Sequence, residues 1–146
     1  MPTVYTIGTQ GKPLADFIAS LRRAGVDAVI DVRLRNTSQL AGYSKRDDLA
    51  FLLREGFGLA YEHRPDLAPT PEILDAYRRD KDWAAYERDF PPVLVERQAE
   101  LVGQEVLSRY QAPCLLCLEA KPKKCHRRLL AEYWASRLPE LTIVHL

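Results

Sequence analysis

Cys117, Glu119, Cys125 and His126 crowd into one stretch of the chain. There the apolar run Pro113-Cys114-Leu115-Leu116-Cys117-Leu118 breaks into a loop carrying Lys121, Lys123 and Lys124, then restarts at Cys125-His126-Arg127-Arg128. Thiol, imidazole and carboxylate are the groups of nucleophilic and acid–base catalysis. The run before the loop reads as a buried parallel strand. The run after it reads as a helix, with Leu129, Leu130, Tyr133, Trp134 and Leu138 at helical spacing and a stop before Pro139. Cys125 and His126 therefore fall at a helix N-terminus, where unpaired N–H groups, a partial positive charge, the three lysines and Arg127 together favour an anion. The chemistry expected is that of a reactive cysteine: Cys125 partly exposed and more acidic than a free thiol, with Glu119 and His63 as further catalytic candidates.

Competing readings of the same residues are weaker on geometry. Cys114, Cys117, Cys125 and His126 offer zinc ligands, but residues three apart on a strand point to opposite faces, so Cys114 and Cys117 do not share an ion and no metal is expected. A redox Cys-x-x-Cys pair works at a helix start, not inside a strand. A phosphatase-type loop needs an arginine where Lys123 stands, six residues after Cys117. Elsewhere, Asp31-Val32-Arg33 places an acid and a base two apart at a strand end, either a structural ion pair or a ligand contact. His145 reads as a terminal strand residue without a role.

These residues must be carried by alternating strands and helices. Val4 to Ile7 ends at Gly8; Pro13 opens a helix with Leu14, Phe17, Ile18 and Leu21 on one stripe and Gly25 just past its end. Val26 to Ile30 is a second strand, and Ser44 with Asp47 is spaced to cap a helix that ends at Gly56. Leu59 to Glu62 is a short third strand. Between Glu72 and Phe90 mixed charges alternate with Tyr77, Trp83, Tyr86 and Phe90, which predicts one or two helices with an aromatic inner face, or a lid. Pro91-Pro92 reads as the start of the next helix, and Leu141 to His145 as the last strand. The alternation predicts an α/β three-layer sandwich of Rossmann-like type, with a mostly parallel five-stranded sheet and helices on both faces. With the first strand central, the switch point falls between strands one and four. Ligands in such folds bind beyond the carboxyl ends of the strands, which collects Asp31, Arg33, His63, Cys117, Glu119 and the basic loop on one edge.

Composition bounds the rest. The 146 residues suit one domain, 1–146, and 47% apolar with 28% charged residues describe an ordinary globular chain. A net charge of +1 provides no global field toward nucleic acid or membrane, so any basic site is local. Three cysteines and no leader at Met1-Pro2-Thr3 lead to the expectation of a reducing cytoplasm, and the apolar runs are too short to span a bilayer.

Several marks together resemble the domain of unknown function 488 family over nearly the whole chain. They are Thr6-Ile7-Gly8, Asp31-Val32-Arg33, Gly42-Tyr43-Ser44-Lys45, Tyr61-Glu62-His63 with Leu67, Leu116-Cys117-Leu118-Glu119 and Cys125-His126-Arg127. The chain departs from that pattern at Thr9-Gln10, where the family usually has a histidine and a serine, and at Ala68-Pro69, where a glycine pair is common. The resemblance implies a compact α/β domain and supplies no substrate.

The reading is an enzyme acting on a small phosphorylated or nucleotide-like substrate at the carboxyl edge of the sheet, without a cofactor. Substrate-binding candidates are Asp31, Arg33, Cys117, Lys121, Lys123, Lys124, His126 and Arg127. The alternative is a non-catalytic module that senses a nucleotide, or binds nucleic acid, through the same loop.

Overall fold

The computed structural model describes residues 2–146. Five strands, β1 (Thr3–Gly8), β2 (Ala28–Asp31), β3 (Ala60–His63), β4 (Pro113–Cys117) and β5 (Thr142–His145), form one sheet in the order β3-β2-β4-β1-β5, and every pairing is parallel. Six α-helices among the described residues flank it: α1 (Leu14–Ala24), α2 (Arg46–Phe51), α3 (Pro71–Asp80), α4 (Trp83–Glu96), α5 (Ala99–Arg109) and α6 (His126–Arg137). Ile7, Val29, Cys114 and Leu116 pack with Phe17 and Leu21 of α1 and Leu49 of α2 on one face. Val4, Ala28, Ile30 and Leu115 pack with Phe90 of α4, Val106 of α5 and Trp134 of α6 on the other. This is the three-layer α/β sandwich that the alternation predicts. No helix among the described residues is long and apolar enough to cross a membrane.

The strand order differs from the expected one. The central strand is β4, between β1 and β2, and all five of its residues are buried. The register sets Gly8 opposite Cys117 and Asp31 opposite Leu116. The helices following β1 and β2 lie on one face and α6, following β4, on the other, so chain diverges from the end of β4 on both sides. That places Cys117 at the mouth of the crevice where ligands of open α/β sheets bind.

Local signals are partly honoured. Pro13 precedes α1, and Gly25 ends it with φ 72°, its N–H donating to the Arg22 and Leu21 carbonyls. Thr70 caps α3 through Oγ1, which accepts from Ile73 N–H at 3.2 Å. Ser44 does not cap α2; its hydroxyl donates to the Ala41 carbonyl at 2.9 Å, and α2 runs on through a wider turn to Gly56. Pro91-Pro92 does not open a helix but lies inside α4. The carbonyls that these prolines leave without a helical partner belong to Glu87 and Arg88, two exposed residues. The break comes instead at Gln98, whose φ of 53° separates α4 from α5.

Helix α5 approaches α6 closely at Gly103, where a Cβ would meet the Trp134 ring at 2.9 Å and Leu138 Cδ1 at 3.0 Å. Trp134 is fully buried and its Nε1 donates to the Ala99 carbonyl at 2.9 Å, so it has little freedom to give way. Gly103→Ala is expected to lower the unfolding free energy by about 1–3 kcal/mol, the cost of overpacking. Urea denaturation measures this, and an unchanged midpoint would mean that the helices separate freely.

Candidate functional site

The end of β4 and the start of α6 bring Cys117, Cys125 and His126 together. Their ligand atoms all lie within 4.8 Å of one another, and all three side chains are buried. His126 is held from two sides: its Nε2 donates to the Val32 carbonyl at 2.6 Å, and Phe90 meets its ring edge to face at 5.8 Å. With Nε2 committed as a donor, Nδ1 is the free nitrogen; Cys117 Sγ lies beside the ring, 3.4 Å from Nδ1 and 3.9 Å from Nε2. The cysteines divide their roles. A hydrogen bond from Cys125, backbone N–H groups of Leu118 and Glu119, and the charge of Arg127 outweigh burial and hold the Cys117 thiol below its ordinary range. Burial, then donation to Cys117, pushes Cys125 well above it. The expectation of a partly exposed, acidic Cys125 is therefore corrected. Cys125 is 2% exposed because the loop folds back, with Cys125 N–H donating to the Pro122 carbonyl at 3.2 Å, and the sulfur held below its ordinary range is that of Cys117 instead. Cys114 points to the opposite face of the sheet, as the strand geometry requires.

Asp31 and Arg33 form a second knot beside this cluster. Asp31 Oδ1 accepts from Arg33 Nε at 2.8 Å and Oδ2 from Arg33 Nη2 at 2.7 Å; Asn36 and the Tyr61 hydroxyl also donate to Oδ2. Arg33 Nη2 reaches the Ser44 carbonyl as well, at 2.8 Å. Burial alone would raise the Asp31 carboxyl; the bonds and charge of Arg33, with those of Tyr61 and Asn36, outweigh it and hold it below the usual carboxylate range. Asp31 is therefore a positioning group behind Arg33. Arg33 itself reaches the cleft, and its Nη1 has no partner among the described residues.

The cleft over this floor has a volume of about 230 Å³. Tyr77 of α3 with Trp83 and Tyr86 of α4 form one wall: Trp83 stacks on Tyr86 at 4.8 Å, and Tyr77 meets Trp83 edge-on at 5.6 Å. The cationic side chains lining it are Arg33, Arg35, Arg78, Lys81 and Lys124, and the carboxylate lining it is Glu119. Arg35 is paired with Asp75 at 2.7 Å, whereas Lys124 has no ion-pair partner among the described residues.

Of the residues singled out from sequence, Arg33, Cys117, Glu119, Lys124, Cys125 and His126 meet at this cleft. Others do not. His63 ends β3 outside it and donates from Nε2 to the Arg33 carbonyl at 2.9 Å, so it supports the strand end. Lys121 and Lys123 are exposed on the loop and outside the lining. Arg127 is corrected as an anion holder. It is fully buried, and its guanidinium donates to Thr6 Oγ1 at 3.2 Å, to the Glu119 carbonyl and to Ala120, clamping the loop to β1. The aromatic wall with Arg78 and Lys81 escaped site assignment; the aromatic spacing before Phe90 was the signal that marks it.

A family model described as Domain of unknown function DUF488 matches residues 13–134, a span that includes the whole Cys117 to His126 stretch. No curated protein and no solved structure matches the chain.

Proposed function

The chain belongs to the DUF488 family, and we propose that it is an enzyme whose cleft takes a small phosphorylated, nucleotide-like substrate over the Cys117–Cys125–His126 floor. The observation that carries this reading is the lining: five cationic side chains, of which Arg33 and Arg35 are ion-paired, against one carboxylate, facing an aromatic wall, above a buried sulfur and imidazole cluster. An anionic group is attracted to the Arg33 and Lys124 side, while a planar ring has Trp83 and Tyr77 to lie against. The cluster and Glu119 are the groups available for chemistry. A binding module of another kind is favoured by one observation: Lys121 and Lys123 stand exposed outside the cleft, without ion pairs among the described residues, as a nucleic-acid contact would use them.

Thermal denaturation with nucleoside monophosphates, sugar phosphates and sulfate tests the reading. A ligand at a hundred times its dissociation constant adds ~2.7 kcal/mol to the folded state. Lys124→Ala is expected to weaken the best ligand about tenfold, the loss of one charged hydrogen bond. Stabilisation by single-stranded nucleic acid alone, falling steeply with salt, would replace the enzyme reading by the binding module.

A further inference from the structure

We propose that Cys117, Cys125 and His126 bind a zinc ion, with a fourth coordination position opening into the cleft. The donor set is what zinc takes, two sulfurs and one imidazole nitrogen, and it is assembled from the end of a central strand and the start of a helix rather than from the surface. The Val32 carbonyl ties up Nε2 of His126, as a backbone carbonyl does for many metal-ligating histidines, and leaves Nδ1 as the free nitrogen. Cys117 Sγ lies beside the ring, 3.4 Å from Nδ1 and 3.9 Å from Nε2, so a turn of the imidazole is needed to direct Nδ1 at the ion. The dimensions agree. Zinc bonds of about 2.3 Å to sulfur and 2.0–2.1 Å to nitrogen, at a tetrahedral angle, set ligand atoms roughly 3.5–3.8 Å apart. Cys117 Sγ and His126 Nδ1 lie 3.4 Å apart and no pair of ligand atoms exceeds 4.8 Å, so the distances close with shifts of about 1 Å or less together with that turn of the ring. Two thiolates also neutralise the dication, which suits a buried position.

Three protein ligands with an open place is the pattern of catalytic rather than structural zinc. All three residues line the cleft, so a water or a substrate oxygen would complete the sphere on the side where Glu119 also stands. The ion itself is argued from the ligands alone; its facing a substrate rests on the function proposed above. Cys114, on the opposite face of the sheet, is not part of this set.

The test is metal binding by the intact chain, purified under a non-chelating reductant that keeps any Cys117–Cys125 disulfide open. About one zinc per chain is expected to survive dialysis, and replacing it by cobalt(II) is expected to give thiolate-to-metal charge-transfer and tetrahedral ligand-field absorption. Cys114→Ser should leave both unchanged. Cys117→Ser and His126→Gln should each lose the cobalt spectrum, and Cys125→Ser, which keeps a capping residue before α6, should weaken zinc by at least about tenfold while remaining folded by circular dichroism. Folded, reduced protein that takes up neither ion would overturn the site, as would zinc retained in the Cys117→Ser/Cys125→Ser double variant. Nucleoside phosphates that still stabilise such a metal-free protein would show that the zinc assignment alone had failed. Stoichiometric zinc with no response to any phosphate would support the site and count against the substrate.

Discussion

Asp31→Asn is expected to lower the unfolding free energy by about 3–5 kcal/mol, the cost of removing one partner from a buried ion pair. The Asp31 carboxylate is fully buried and accepts from Arg33 N, Nε and Nη2, from Asn36 and from Tyr61. Asparagine keeps the volume but loses the charge and turns an amide donor toward other donors, so the Arg33 guanidinium is left buried without its counter-ion. Urea unfolding gives the loss directly. The double variant Asp31→Asn/Arg33→Met should lose less than the sum of the two single changes, because no uncompensated charge remains. The pH dependence has a definite sign. The folded carboxyl lies below its unfolded value of ~3.9, so its contribution is fully present above that pH and is lost as pH falls through the folded value. Wild-type stability should therefore drop on acidification where the variant's curve is flatter. A variant as stable as wild type at neutral pH would show that the knot does not hold the ends of β2 and β3.

Gly8→Ala carries the second large effect. Gly8 ends β1 opposite Cys117, and a Cβ there would lie 1.7 Å from the Glu119 carbonyl oxygen and 2.6 Å from its carbon. Both obstacles are backbone, so the whole turn after β4 must move rather than one side chain. Overpacking commonly costs 1–3 kcal/mol, and with backbone as the obstacle about 3 kcal/mol or more is expected. The displaced turn carries the Leu118 and Glu119 N–H groups that hold the Cys117 sulfur, so ligand and metal binding should fall with stability. A thermal midpoint and binding equal to wild type would mean that the loop is not pinned against β1.

The layers of this fold were legible in the sequence because alternation of β-rich runs with amphipathic helices leaves few other solutions. The strand order was not. Val4 to Ile7 and Pro113 to Cys117 are both apolar, and nothing local tells which of two buried strands sits in the middle. The collection of Arg33, Cys117, Glu119, Cys125 and His126 at one edge followed from strand direction, which survives an error in strand order. Side-chain direction was the harder matter. Cys125 and Arg127 follow three lysines and read as part of an open basic loop, yet the Pro122 turn carries both beneath it, one into the sulfur cluster and the other onto Thr6 and the Glu119 carbonyl. Pro91-Pro92 misled because proline's preference for helix starts is only a preference, and α4 carries both prolines in its interior, where the two lost hydrogen bonds fall at the exposed residues Glu87 and Arg88. The aromatic residues of α3 and α4 were read as an inner face; they pack together, and Tyr77, Trp83 and Tyr86 also wall the cleft.

Fluorescence of Trp83 tests most directly whether this cleft receives a nucleotide-like ligand. The chain has two tryptophans; Trp134 is fully buried in the core, while Trp83 lines the cleft. Titration with purine and pyrimidine nucleoside monophosphates should give a saturable change in emission. That change should be absent in Trp83→Phe, although the same ligand still raises the melting temperature of that variant, and should shift to higher concentration in Lys124→Ala. No saturable change with any nucleoside phosphate, or the same change after Trp83→Phe, would contradict the assignment.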